Sequence, residues 1–590
     1  MRAVTSLRPA AILLAVCLLA MGLRTLGISY GLPAIYNPDE TPILNRALTF
    51  AKGDPNPHNF VYPSLYFYLL FAWEGAFFVA GRLLGIFDSL AAFQRQFFTD
   101  PSAHFLAGRA FSVLCGTLTI VALYWFGRRL YDKPTGLAAA AFLAVAPIAV
   151  RDAHYVKLDV PVTLFVVLAH AALARIVTDP AAAARQSCWL TAGLLSGLAV
   201  STQYYAVFLA FSIVAVTIAD VQRSRQLQAS VKLFLWCVAG AVAGFLAGTP
   251  FLLVDLQKAL ADIAHVREVD VDRAVAGGMF SATGAYLRIL LLDAVGWPVW
   301  LAAVAGAIWA LLSDWRRGLL LVSFFVPFFA FVANTVPMSR YLNVVLPLIA
   351  LSAGAAMIKL SRLSARHMTI IPMGLSFRHS TAIAVALVIA AMIPGLLSSI
   401  RISLFIREAD TRTLAREFLE NRLHPGDAVL IQPYSAPLRP SRDALLEALR
   451  QNLGSESRAS AKYQHMLALD PYPEPSYRLI YLGDDDGLDV DKLFVSPQEF
   501  SDGEGLGKLR RLGIQYVVLK QSNTPNPSLS GLERALTREG QRIAVFTPYR
   551  PNAAPEERAA IPPFMHNTAA RLHPALERPG PIVEIWMITH

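Results

Sequence analysis

Apolar stretches recur through the first 400 residues, near 10–29, 63–85, 105–126, 136–150, 159–178, 187–203, 204–220, 232–251, 293–313, 318–334, 342–360 and 381–399. Several reach the roughly 17–25 residues that a helix needs to cross a bilayer. Beyond residue 405 the pattern changes: charge and proline increase, and short apolar runs alternate with polar ones. "DTRTLAREFLENRL" has the period of an amphipathic helix ending before Pro425-Gly426. "DAVLIQP", "YRLIYLG", "IQYVVLK", "RIAVFTP" and "IVEIWMI" have the length and β-branched content of strands, with helices expected at 441–453, 505–512 and 529–539. The pattern predicts a polytopic α-helical membrane domain over 1–400 and an α/β domain over 401–590.

Basic residues orient the spans. Arg2 and Arg8 place the N-terminus in the cytoplasm. "GRRLYDK" (127–133), Arg175 with Arg185, "QRSRQ" (222–226), "DWRRG" (314–318) and "KLSRLSARH" (359–367) are further basic connections. All six sites share one side if 63–85 does not cross. That segment opens with the aromatic-rich "VYPSLYFYLLFAWEG" and is expected to lie along the interface as a juxtamembrane helix. Counting 187–203 and 204–220 as two crossings then gives eleven spans. The stretches 30–104, 151–158, 252–292, 335–341 and everything after 400 fall on the extracytoplasmic side.

Composition supports a membrane protein, with 55% hydrophobic and 16% charged residues in a chain of 590, against about 25% charged in soluble domains. The net charge of +10 follows the positive-inside pattern, and no compact basic motif accompanies it, so nucleic acid is not an expected partner. Cys17, Cys115, Cys188 and Cys237 lie in or beside apolar segments without metal-ligand spacing, so neither a disulfide framework nor a zinc site is expected. The N-terminal segment resembles a signal sequence but has no small-x-small cleavage site, and reads as a retained first helix.

The candidate chemistry gathers on the outer face. Asp39 and Glu40 in "NPDETPILNRA" follow the first span; acids at that position either begin a helix or present a base at the membrane surface. "RDAHYVKLDVP" (151–161) brings Arg151, Asp152, His154, Lys157 and Asp159 to the junction of two spans, where charges are costly and point to function. Arg109 enters the next span near its outer end, and Arg340-Tyr341 begin a span on the outer face, against the positive-inside trend. Arg267 in "HVREVDVDR" adds a loop cation. Arginine forks suit phosphate, so acids plus arginines here fit a phosphate-bearing lipid and a deprotonation step.

These motifs, in their order and on their shared face, resemble the GT-C glycosyltransferases, especially the family 39, protein O-mannosyltransferase, aminoarabinose transferase and Rgt-like group. "NPDETPILNRA" is similar to the Asp-Glu signature of that group's first outer loop. "VYPSLYFYLL" is similar to its juxtamembrane segment, with one proline, Pro63, where relatives carry two. "AGRAFSVLCGTLTIVALYWFGRRLYD", "RDAHYVKLDVPVTLFVVLA" and "SRYLNVVLPLIALSAGAA" resemble further spans, and the likeness covers roughly 30–360. "GLLSGLAVSTQYYAVF" departs from the pattern, with Gln203 where relatives often have lysine.

The resemblance implies an inverting transfer of a sugar from a polyprenyl-phosphate-linked donor to a lipid, polysaccharide or protein acceptor outside a bacterial inner membrane. It implies Asp39 as general base and Glu40 as a residue that positions the acceptor or tunes Asp39. Arg340, Tyr341, Arg151, Lys157 and Arg109 would hold the donor phosphate, and His154, Asp159 and Tyr62 would shape the acceptor cavity. The resemblance requires no nucleotide and leaves a divalent cation open: relatives differ in their use of one, and no ligand spacing here decides that. A transporter or flippase of lipid-linked glycans is the alternative. It would place polar groups at mid-membrane in two repeated halves, whereas these charges crowd one face and no repeat is visible. A receptor or scaffold acting through the C-terminal domain would leave Asp39 and Arg340 unexplained.

Overall fold

The computed structural model describes residues 2–275, 278–368, 376–484, 489–500, 506–521, 527–564 and 572–588. Among them, seven helices are long and apolar enough to cross a membrane: Ser102–Leu130, Asp159–Thr178, Tyr204–Ser224, Leu227–Gly248, Trp315–Val332, Ser339–Ser364 and Thr381–Phe405. The pair Thr283–Ala294 and Trp297–Ser313, bent by 113° where Pro298 enters behind Gly296 at φ 84°, adds an eighth when counted as one broken span. The remaining three expected spans are helical but shorter. They are Pro9–Thr25, Lys133–Ala144 and Gln186–Thr202. The chain is a multi-pass membrane protein, and Leu65–Leu83, the expected interfacial helix, is not among the seven.

Two features depart from a simple reading of hydropathy. The stretch 136–150 is one apolar run in sequence, yet the helix stops at Ala144 and restarts at Pro147. Proline lacks the amide needed to continue the helix and disfavours a helical residue before it. Ala146 accordingly sits at ψ 117°. The helices Gln186–Thr202 and Leu227–Gly248 pack closely through glycines spaced by four, Gly193 with Gly197 and Gly240 with Gly244. A Cβ on Gly193 would lie 1.9 Å from the Cys237 carbonyl oxygen, and one on Gly240 would lie 2.3 Å from that of Leu190. Such small-residue faces let backbones approach where lipid supplies no hydrophobic drive between helices.

The C-terminal sheet domain holds six strands: β1 (Ala428–Ile431), β2 (Arg478–Leu482), β3 (Leu493–Val495), β4 (Ile514–Gln521), β5 (Gly540–Phe546) and β6 (Ile582–Ile588). Their order is β3-β2-β1-β4-β6-β5. The first four are mutually parallel, while β6 runs antiparallel between β4 and β5. β1 pairs Leu430 with Ile480 on one side and Val517 on the other. The five strands expected from sequence are present; β3, three residues long, is additional.

This domain grips the segment that leads to Asp39. Tyr30 Oη donates to Asp410 Oδ2 at 2.8 Å, and Arg412 donates to both oxygens of the same carboxylate at 2.8 Å. The Arg412 guanidinium lies 3.8 Å from the Tyr36 ring centroid, and Tyr36 Oη is 2.6 Å from Thr413 Oγ1. Arg95 donates to the Asp470 carbonyl and Arg439 to that of Thr99. The sheet domain therefore stands at the same end of the helical bundle as Asp39.

Candidate active site

Asp39 occupies the N-cap position of the helix Glu40–Thr49, but its side chain makes no capping bond. The carboxylate turns to two cations instead. Lys157 Nζ lies 3.2 Å from Oδ2, and Arg340 Nη1 donates to the same oxygen. The Lys157 side chain is 1% exposed, that of Arg340 13% and that of Asp39 25%, so the acid is the member of the cluster open to an incoming group. Burial pulls the Lys157 ammonium below the usual lysine range, with Asp39 opposing the shift.

Glu40, one position later, points the other way, because successive helical residues are rotated by about 100°. It is wholly buried and accepts from Arg109 Nε and Nη2 at 2.8 Å each, and from the Val156 amide at 2.9 Å. Arg109 Nη1 also donates to the Ile28 and Tyr30 carbonyls at 2.7 and 2.8 Å. The resemblance implied a donor-phosphate contact for Arg109, and for Glu40 a part in positioning the acceptor or tuning Asp39. Their geometry instead closes a buried ion pair that holds the 28–40 loop on the bundle.

Removing one partner of a buried pair strands the other charge, at a cost of about 3–5 kcal/mol. Arg109→Ala is therefore expected to lower the thermal unfolding midpoint of the purified protein clearly. Removing both charges, as Glu40→Gln with Arg109→Met, should recover much of the loss. An unchanged midpoint in Arg109→Ala would show that the pair does not hold the loop.

Arg151 and His154 are likewise fully buried and do not line the cavity described below. Arg151 donates to Asp152 Oδ1 at 2.7 Å and to Ser339 Oγ at 3.0 Å, while Asn343 Nδ2 donates to Asp152 Oδ2 at 2.6 Å. The ring nitrogens of His154 face the Val150 and Leu26 carbonyls at 2.8 and 2.9 Å. Both residues join the 151–158 turn to neighbouring elements.

The remaining candidates converge. A cavity of about 750 Å³ is lined by Tyr62, Tyr205, Phe208, Phe331, Arg340 and Tyr341 among others, mostly apolar. Arg340 stands between this apolar space and Asp39. Asp159, 4% exposed, accepts from Tyr205 Oη at 3.3 Å. Gln203, at the extended break between two helices, also lines the cavity, as do His265 and Arg267 from the 256–275 stretch. Sequence reading missed Tyr205; a helix break inside "STQYYAVF" was its available signal. Among the described residues, no group of three or more His, Cys, Asp or Glu side chains is placed to hold a metal ion.

Residues 90–250 match the family described as dolichyl-phosphate-mannose-protein mannosyltransferase. No curated protein matches the chain. Among solved structures, ArnT from Cupriavidus metallidurans in the apo state is 14% identical, covering 99% of this chain and 98% of that one with a TM-score of 0.51. The same protein bound to undecaprenyl phosphate is 13% identical, covering 98% and 97%, with a TM-score of 0.50. The archaeal oligosaccharyltransferase AglB from Archaeoglobus fulgidus, in complex with an inhibitory peptide and a dolichol-phosphate, is 13% identical over 93% of this chain and 74% of its own, at 0.48. At such identity the likeness to ArnT is one of fold, and it runs the length of the chain. Together with the family match across the stretch that holds Arg109, Lys157 and Asp159, it gives this chain the fold of the GT-C membrane glycosyltransferases.

Proposed function

We propose that the chain transfers a sugar, with inversion, from a polyprenyl-phosphate-linked donor to an acceptor hydroxyl on the extracytoplasmic side of a bacterial inner membrane. The observation that carries this reading is the position of Arg340, in contact with Asp39 on one side and lining an apolar cavity on the other. An isoprenoid tail suits the apolar lining, and its phosphate suits the Arg340 fork and the Lys157 ammonium. The ArnT structure of the same fold holds undecaprenyl phosphate.

In the free protein Asp39 is occupied by those two cations. A donor phosphate competes for them, so binding of donor loosens the carboxylate just as an acceptor arrives. The acceptor oxygen then attacks the anomeric carbon while its proton passes to Asp39. The bond from the anomeric carbon to the phosphate oxygen breaks, and the lipid phosphate departs with its charge neutralised by Arg340 and Lys157. Tyr341, Tyr62 and Asp159 shape the space around the reacting centre.

Mass spectrometry of envelope lipids, polysaccharides and proteins from a deletion strain tests the reading. One hexose or pentose should disappear from a defined acceptor and return with the intact gene. An unchanged glycan inventory, together with failure of the purified protein to consume any polyprenyl-phosphate sugar, would overturn it.

A further inference from the structure

A second cavity lies at the opposite end of the bundle and plays no part in the chemistry above. The Ser102–Leu130 helix carries Arg109 beside the Asp39 loop and reaches Tyr131 22 residues later, or about 33 Å at 1.5 Å per residue. That is about the thickness of a bilayer core. There Tyr131, Asp132, Trp309, Arg317, Lys359 and Arg362 enclose about 270 Å³, room for roughly nine waters or a phosphodiester head group.

Three cations face one acid inside this cavity. Arg362 pairs with Asp132, which also accepts from the Thr135 amide at 2.9 Å, and Arg317 pairs with Asp314 outside the lining at 3.0 Å. Lys359 has no ion-pair partner among the described residues; its Nζ lies 5.3 Å over the Trp309 ring. The Arg317 guanidinium lies 5.7 Å over Tyr131, whose buried hydroxyl has no hydrogen-bond partner among the described residues. A buried hydroxyl left unsatisfied is costly, and here it is beside excess positive charge. Next to the cavity, Ile308, Leu312 and Leu360 are more than half exposed, a surface for acyl chains.

We infer that this cavity binds the phosphate of an anionic phospholipid, its head group among Arg317, Lys359, Arg362 and the Tyr131 hydroxyl and its chains along Ile308 and Leu312. Basic pockets between helices at the positively charged membrane face recognise anionic head groups in this way. A free phosphate ion would meet the same cations but would gain nothing from the flanking apolar surface.

Native mass spectrometry of the full-length protein in detergent, titrated with phosphatidylglycerol or phosphatidylcholine, tests the inference. The protein should retain one phosphatidylglycerol in preference to phosphatidylcholine. Arg317→Gln with Lys359→Gln should weaken that adduct about 25-fold, at roughly fivefold per cation removed. Lys359→Gln alone, which breaks no ion pair, should weaken it about fivefold and serves should the double variant not fold. Arg128→Gln, which removes an exposed cation of the same face outside the cavity, should leave it unchanged. Equal retention in all variants, or an equal loss in Arg128→Gln, would overturn the site. Stabilisation by millimolar inorganic phosphate with no lipid adduct would assign these cations to a free anion and overturn the lipid assignment.

Discussion

Asp39→Asn is expected to lower sugar transfer by about 10²–10⁴-fold, the usual contribution of a positioned general base, in a protein that still folds and inserts. The substitution keeps the shape of the side chain and removes its charge and its ability to take a proton. It also frees Arg340 and Lys157 from their anionic neighbour, so donor phosphate no longer competes with a carboxylate. The two effects separate in the kinetics: kcat falls steeply, while the KM for lipid donor stays level or decreases. A residue that only held the loop would raise KM and lower the unfolding midpoint as well. Undiminished turnover in Asp39→Asn would remove Asp39 as the base and, with it, the proposed order of events at the site.

The adjacent acids show how far a sequence can be read. Asp39-Glu40 could be recognised as a helix start or as catalytic carboxylates, and the local sequence does not choose between them. The helix does begin there, but the cap residue leaves its own helix unbonded and turns to cations 118 and 301 positions away in the chain. Nothing local states that Lys157 and Arg340, rather than Arg109 and Arg151, would reach it. All four are cations near helix ends on one face. Which of them meets a buried carboxylate and which meets the cavity depends on rotation about helices fixed by long-range packing. The membrane segments were legible because apolar length is itself the physical requirement. The break at Ala146 and the close packing of Gly193 and Gly240 against the facing helices had local signals, a proline and a spacing of four, whose meaning depended on a neighbour. Five of the six strands of the sheet domain were legible as apolar β-branched runs, and the three-residue β3 was not. The Asp410–Arg412 grip on Tyr30 and Tyr36 was not, because it joins residues some 380 positions apart.

Arg340→Ala is expected to raise the KM for polyprenyl-phosphate donor by about 10–100-fold, the range for losing charge-assisted hydrogen bonds to an ionised group. The side chain both lines the large cavity and touches Asp39, so its loss removes contact with the ground-state donor and with the departing phosphate. Lys157 stays beside Asp39, which spares the carboxylate from standing without a counter-charge and keeps the fold. Arg340→Lys separates charge from shape: an ammonium restores the point charge but not the planar fork, and should recover only part of the donor affinity. A merely structural arginine would show a different pattern, with the unfolding midpoint reduced and donor KM unmoved. If a donor titration of Arg340→Ala overlays that of the native protein, the phosphate is held elsewhere. In that case Arg267, on the stretch bordering the same cavity, is the cation to replace next.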